Sequence, residues 1–379
     1  DVAPSRGLGD VYKRQVLDHS ASVGVRGQIT YDYLKGLGFS QIDVTGCPSL
    51  ALNGPGLPLR EKQPLTPESK LCFTGSVTNP PDFKKFAVRC TERFPNTYFV
   101  PQFIDDLRLM YLGIPHPDTV DSRVLHPTNL DHPVFVEDKA RFFINLPSMF
   151  AFNREMDFNY GTRIHGAIGN ILCGVPSLLF PTDARIRELA EYHNIPAIPA
   201  SAVTPDTDLA ALYDQTDFRQ VNNGHAERFW HLIDFLNENG IKTIYDDRTG
   251  TPARSLYDEK TAATSYAQPV HSMLVRPPEE IARRVDTAVR LQRKEIEDDS
   301  RLATQLRDSQ RKVTQLQERN KKQNAQIQAL KEERKALKTE LKATKKPLRR
   351  LAWYQRTSTF GIGLARLKKK LRRLLGKEK

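Results

Sequence analysis

Arg163 and His165 stand two positions apart in the stretch YGTRIHGAIGNILCGVPSLLFP (160–181), and this is the part of the chain best equipped for chemistry on an anion. The pattern predicts a strand over 158–164 with Gly161 and Gly166 relaxing the turn around it. A helix over 167–173 follows, then a stop at Gly174 and Pro176, then a second strand over 177–180. The first N–H groups of such a helix lack intrahelical acceptors and sit at the positive end of its dipole. A phosphate or carboxylate held there also meets a guanidinium and an imidazole. The same spacing has a structural reading: an ion pair for Arg163 and a satisfied hydrogen bond for His165.

The elements that must position this turn are those of an α/β fold. Between 16 and 50 the order is strand, Gly-rich turn, helix (29–37), strand (41–44) and a Gly-Cys-Pro turn, followed by a linker rich in Gly, Pro and Leu. A new unit opens with an apolar strand over 70–73 and its Thr-Gly-Ser turn. It continues with a helix over 81–94, a strand over 97–100 and further buried strands at 141–144 and 158–164. Strands alternating with helices imply right-handed crossovers and a parallel sheet covered on both faces.

Two blocks carry a family resemblance. GTRIHG with the apolar helix after it and GVPSLLFPTDARIRELAEYHNIP resembles the polysaccharide pyruvyl transferase family. SVGVRGQITYDYLKGLGF followed by DVTGCPSL, over 22–50, resembles that family's upstream pattern of an Arg-Gly turn, a helix and a Thr-Gly-Cys-Pro turn. The similarity runs over roughly 16–240. It implies an α/β, GT-B-like pair of Rossmann-type domains with the active site in the cleft between them. On this reading 16–58 is the remnant of a truncated first domain and 70–240 the second, pyruvyltransferase domain. Residues 1–15 resemble a translated assembly or adapter leader and are set aside as non-native.

The resemblance also implies the chemistry. The family moves the enolpyruvyl carbons of phosphoenolpyruvate onto a sugar as a ketal across two hydroxyls, releasing phosphate. Carried over by motif, Arg26 of VRG and Arg163 of GTRIHG match the anion-binding arginines, and Ile164 lies between Arg163 and His165 on the same turn. His165 would protonate the methylene carbon or stabilise the departing phosphate. Asp183 either accepts the sugar hydroxyl's proton or caps the next helix; Arg185 and Glu188, in the first turns of that helix, face the cleft or pair with each other. Phosphoenolpyruvate is a co-substrate, and the chemistry asks for no metal or further cofactor. The acceptor implied is a surface polysaccharide or lipid-linked glycan. A GT-B glycosyltransferase using a nucleotide sugar, and an inactive domain on a coiled-coil, membrane-attached scaffold, are the competing readings.

Composition limits the rest. The 379 residues are 39% hydrophobic with a mean hydropathy of -0.52, too polar for a packed core throughout. Cys47, Cys72, Cys90 and Cys173 are scattered without CxxC or zinc-ligand spacing, so neither a disulfide framework nor a zinc site is indicated. That usage suits a reducing cytoplasm. No apolar run approaches the roughly 18 residues of a membrane span, and no signal-peptide pattern opens the sequence.

Beyond Gly240 the chain turns polar, and 241–277 reads as a linker or partly ordered wrap. Over 278–346 a helical pattern follows in which Leu302, Leu306, Ser309, Val313, Leu316, Asn320, Gln323, Ile327, Leu330, Arg334, Leu337 and Leu341 alternate steps of four and three. That spacing averages about 3.5 and predicts a left-handed coiled coil, with Asn320 at an a position favouring a parallel homodimer. Pro347 is expected to end this helix. Residues 347–379 then set Phe360, Leu364, Leu367, Leu371, Leu374 and Leu375 at helical spacing among Arg366, Lys368, Lys369, Lys370, Arg372 and Arg373. This basic amphipathic tail fits an anionic membrane surface, and contributes to the net charge of +12. Nonspecific nucleic-acid contact or packing on a partner are its alternatives; no fold for specific nucleic-acid recognition accompanies it. The location expected is the cytoplasm, peripheral at the inner face of the cell membrane.

Overall fold

The computed structural model describes residues 15–16, 19–116, 126–246, 248, 256–357 and 359–374. The leader assigned to 1–15 and the tail residue Leu375 thus lie essentially outside the described residues. The chain divides into two compact units, 1–291 and 292–379.

Unit one is mixed α/β with parallel sheets. Strands β1 (Val23–Val25) and β2 (Ile42–Val44) flank helix α1 (Gln28–Gly36) and pair in parallel, Val23 opposite Ile42. The second sheet has the order β4-β3-β5-β6, all parallel, from β3 (Leu71–Thr74), β4 (Thr97–Phe99), β5 (Phe158–Gly161) and β6 (Ser177–Leu179). Helix α2 (Pro81–Arg93) joins β3 to β4, and α3 (Ile104–Leu112) follows β4. Helix α4 (Leu146–Asn153) precedes β5, α5 (Ile164–Leu172) links β5 to β6, and α6 (Ala184–Tyr192) follows β6. The chain leaves β3 toward β4 but re-enters the sheet at β5 on the opposite side. The order therefore reverses between β3 and β5, where open α/β sheets form a crevice beyond the carboxyl ends of the strands.

Apolar burial explains why these segments are strands. Leu71, Cys72, Phe158 and Tyr160 are fully buried, as befits central strands covered on both faces. Phe83, Phe86, Tyr160 and Phe180 pack ring on ring, with centroids 5.1–6.4 Å apart, within the range of favourable aromatic pairs. Helix α7 (His225–Glu238) is fastened to the first sheet. Asn239, just past its end, accepts from the N–H groups of Ala21 and Ser22, and His231 bonds the Asp43 carboxylate at 2.9 Å.

Two predicted elements are redrawn, and the partly ordered wrap is filled in. Residues 141–144 form no strand; Phe142 makes one isolated antiparallel bridge to Val270, while Ala140 bridges Phe99. The wrap over 241–277 is therefore partly docked, and Ser272 and Met273 within it are buried. Helix α8 (Pro278–Thr357) runs through Pro347 rather than ending there. A proline removes one backbone bond and bends a helix, but the ladder on either side continues it. Helix α9 (Thr359–Leu374) follows.

Candidate functional site

The GTRIHG turn lies at the carboxyl end of β5, beside the Thr-Gly-Ser turn that ends β3, so it borders the crevice at the switch point. The strand ends at Gly161 and the helix begins at Ile164, three residues earlier than the sequence pattern suggested. Arg163 is consequently the N-cap of α5 and His165 stands in its first turn. The early start is enforced by close packing. Gly161 has φ +153, and a Cβ there would lie 2.1 Å from the carbonyl oxygen of Thr74; a Cβ on Gly166 would come within 2.7 Å of the Thr74 side chain. With glycine at both places the Thr162 N–H donates to that Thr74 carbonyl at 2.9 Å, and its hydroxyl bonds Asn79 Oδ1 at 2.7 Å.

Arg163 is half-buried. The ring of Phe103 lies against its guanidinium, 4.2 Å from ring centroid to Cζ, and its Nε is buried without a hydrogen-bond partner among the described residues. Burial and the nearby charge of Arg185 lower the pKa of Arg163, while Asp106 and Asp183 offset this in part. Burial also pushes the Asp106 carboxyl up to about 7, against the bond it accepts from the Phe103 N–H and the attraction of Arg163. A desolvated guanidinium beside a second cation is poised to accept an anion, because a ligand oxyanion would relieve both costs.

His165 is exposed, and its Nε2 faces Cys47 Sγ at 3.9 Å. Cys47 comes from the Thr-Gly-Cys-Pro turn after β2. Gly46, at φ +66, allows the chain to pass so near α6 that a Cβ there would meet His193 Nε2 at 2.4 Å. The Cys47 N–H donates to that Nε2 at 2.8 Å, and the Tyr192 hydroxyl donates to the Val44 carbonyl at 2.8 Å. Burial pushes the Cys47 thiol up, but hydrogen bonds with His165 and Ser49 and the charge of Arg26 outweigh it and bring the thiol down to about 7. The structure thus gathers Arg26, Ser49 and His165 around Cys47, and Arg185, Asp106 and Asp183 around Arg163. Beside His165 opens a largely apolar cavity of about 730 Å³, lined by Ser49, Phe150, Ile168, Phe229, Ile233 and Tyr245 among others.

The remaining sequence candidates have structural duties. The Ile164 side chain is buried in the core with Ile168, Leu179 and Leu189, so only its backbone remains for a ligand. Asp183 caps α6, accepting from the Ile186 N–H at 2.8 Å, and stands 3.9 Å from Arg185. Glu188, buried, is engaged by Thr30 rather than facing the crevice or pairing with Arg185. Its charge is satisfied at the head of α1, where no side chain of the N-cap Gly27 can do so.

Over residues 4–183 the chain matches the family model described as polysaccharide pyruvyl transferase. Over that segment the chain is similar to this family. The polysaccharide pyruvyl transferase match spans both sheets as well as the VRG, TGCP and GTRIHG turns, and its last residue is Asp183. No curated protein matches the chain. Among solved structures, one described as the glycotransferase of kitacinnamycin is similar at 18% identity and a TM-score of 0.24, over 48% of this chain and 42% of that one. The chain thus spans less than half of that protein's length, and a superposition this loose decides neither fold nor function.

Cys47, Phe103 and Asp106 were not singled out from the sequence. The TGCP motif was a usable signal for Cys47, whereas nothing local connects Phe103 or Asp106 to a turn some 60 residues away. Among the described residues no group of three or more His, Cys, Asp or Glu side chains is arranged to hold a metal ion.

Proposed function

We propose that this protein transfers the enolpyruvyl carbons of phosphoenolpyruvate to a sugar, closing a ketal across two hydroxyls and releasing phosphate. The observation that carries the reading is the half-buried Arg163 at the head of α5, pressed by Arg185, next to His165 in the first turn. Phosphoenolpyruvate carries two anionic groups, a carboxylate and a phosphate, on one carbon, C2. Arg163 with Arg185 and the first N–H groups of α5 suit one; Arg26, whose charge acts on Cys47, suits the other. Between them His165 donates a proton to the methylene carbon, making C2 electrophilic toward the sugar hydroxyl. The family match over 4–183 supports the same assignment.

The acceptor is a glycan of a surface polysaccharide, carried on a lipid. The apolar cavity beside His165 supports this, since it offers a place for the apolar part of such an acceptor. The two sheets form a GT-B-like pair whose first member is represented by β1, α1 and β2. In α8, Leu302, Leu306, Val313, Leu316, Ile327, Leu330, Leu337 and Leu341 are 48–63% exposed. A helix with such a seam is covered by a second copy in a parallel coiled coil, leaving the polar positions to solvent. Helix α9 exposes Leu364, Leu367 and Leu371 beside its cations, and serves as a surface anchor on the cytoplasmic face of an anionic membrane. No helix among the described residues is long and apolar enough to cross a membrane.

The test is release of inorganic phosphate from phosphoenolpyruvate in the presence of pooled lipid-linked or capsular glycans, with pyruvate ketal detected on the product. Phosphate release that depends on acceptor and is lost in Arg163→Ala supports the assignment. Turnover of a nucleotide sugar with phosphoenolpyruvate untouched replaces it with glycosyl transfer.

A further inference from the structure

The pyruvyl-transfer reading gives His165 a proton to donate but leaves open what keeps that proton on the ring. Three groups converge on the Cys47 thiol: the His165 imidazole from α5, Ser49 from the turn itself and Arg26 from the β1–α1 turn. Two other titratable groups pack here, Tyr192, whose hydroxyl burial pushes up, and His193, and both stay neutral. Burial and the charges of Arg228, His225 and Arg26 lower His193 to about 3, and its Nε2 accepts the Cys47 N–H. The backbone of Cys47 is fixed by that bond and by the positive φ of Gly46, so Sγ is held toward His165.

We propose that Cys47 is a positioning residue for His165: its thiol gives a proton to the imidazole and, as thiolate, holds the ring cationic and oriented. The exchange is a proton transfer alone. The Sγ–H bond breaks, the Nε2–H bond forms, and sulfur keeps the electron pair beside the Arg26 charge. The Nε2–H then points at sulfur, and Nδ1–H is left for the reacting carbon. A thiolate suits this role because its charge appears near neutral pH only when a cationic partner supports it. The other three cysteines are contrasting cases. Burial raises Cys72 to about 12, Cys173 to about 11 and Cys90 higher still. Thiolate absorbance below pH 9 therefore reports Cys47.

The pairing does not depend on the substrate, whereas its use in proton donation rests on the pyruvyl-transfer reading, and two measurements separate them. The first is ultraviolet thiolate absorbance against pH for the whole chain, with Cys47→Ser as the blank and circular dichroism confirming that each variant is folded. The parent is expected to titrate near 7, and His165→Gln to move the midpoint to about 8.5 or above, the ordinary thiol value. At pH 7.5 the thiolate fraction then falls from about three quarters to about a tenth. Arg26→Ala moves the midpoint the same way by less. A parent with no titration below pH 8.5, or a midpoint unmoved in His165→Gln, overturns the pairing. The second is the pH profile of kcat/KM with phosphoenolpyruvate. Cys47→Ser shifts the alkaline limb to lower pH, because the anion holding the proton is gone; a lower kcat with an unmoved limb overturns the positioning role. Absence of any phosphoenolpyruvate turnover, with the absorbance shift intact, overturns the pyruvyl-transfer reading and leaves the pair standing.

Discussion

The Glu188 carboxylate accepts two hydrogen bonds from Thr30, one from its N–H at 3.0 Å and one from its hydroxyl at 2.8 Å, across 158 positions of sequence. Thr30 is the third residue of α1, so Glu188 supplies from α6 the bond that an N-cap side chain normally provides. Gly27 leaves room for it: a Cβ at that position would lie 2.8 Å from the Glu188 Cβ. One carboxylate thereby locks the VRG turn bearing Arg26 onto α6, next to the sheet that bears Arg163.

Breaking this link is expected to loosen the two sheets. Thr30→Val removes the hydroxyl donor beside a buried charge and should cost about 1–3 kcal/mol in urea unfolding. Combining it with Glu188→Gln should cost less than the sum of the two single changes, since both act on one interaction. Additive losses would show that the two residues act separately.

Arg163 should matter to binding more than to folding, because its Nε has no hydrogen-bond partner among the described residues. Arg163→Ala is expected to weaken phosphoenolpyruvate binding by roughly 1.5–3 kcal/mol, or about 10- to 150-fold, in calorimetric titration. Arg163→Lys should restore part of it, as a point charge without the planar fork. Equal affinities for all three proteins would remove Arg163 from the site.

Acid should weaken the fold partly through His193. Its folded pKa of about 3 lies below the ordinary value of about 6.5, so the unfolded chain binds the extra proton. The stability it contributes is fully present above pH 6.5 and is lost as pH falls toward 3. Between pH 7 and pH 4 the parent should therefore lose more stability than His193→Gln, by on the order of 3 kcal/mol. Parallel stability curves for the two would refute it.

The exposed seam of α8 predicts a dimer. Sedimentation equilibrium of the whole chain should give twice the monomer mass at micromolar concentration. Leu316→Glu with Leu330→Glu should return it to monomer, because both positions fall on the apolar seam. A parent that remains monomeric at high micromolar concentration would leave α8 a solvated single helix.

For α9 the expectation is flotation with anionic vesicles, weakened by salt and abolished by Leu367→Glu with Leu371→Glu. Apolar burial and charge attraction are both needed for an interfacial helix, and two copies joined by a coil bind more firmly than one. Equal binding to neutral and anionic vesicles, or binding to neither, would leave the basic helix as a partner-binding or solubilising element.

Residue order alone determined the parallel α/β class, the Gly-rich turns at strand ends, the resemblance carried by VRG, TGCP and GTRIHG, and the long C-terminal helix. Each is a local pattern: strand and helix periods differ, and glycine marks places where a side chain cannot fit. The sequence placed a helix stop at Pro347 because proline ends isolated helices, but the hydrogen-bonded turns on both sides carry α8 past it. Tertiary structure decided which candidates face the crevice. Ile164 turned into the core and Glu188 became the cap of α1, because burying an apolar side chain and pairing a buried charge depend on neighbours far away in sequence. It also brought Cys47 to His165 across 118 positions. The TGCP and GTRIHG turns come from different sheets, and the packing of α6 against both, with Cys47 and Leu50 seated on α5, brings them together.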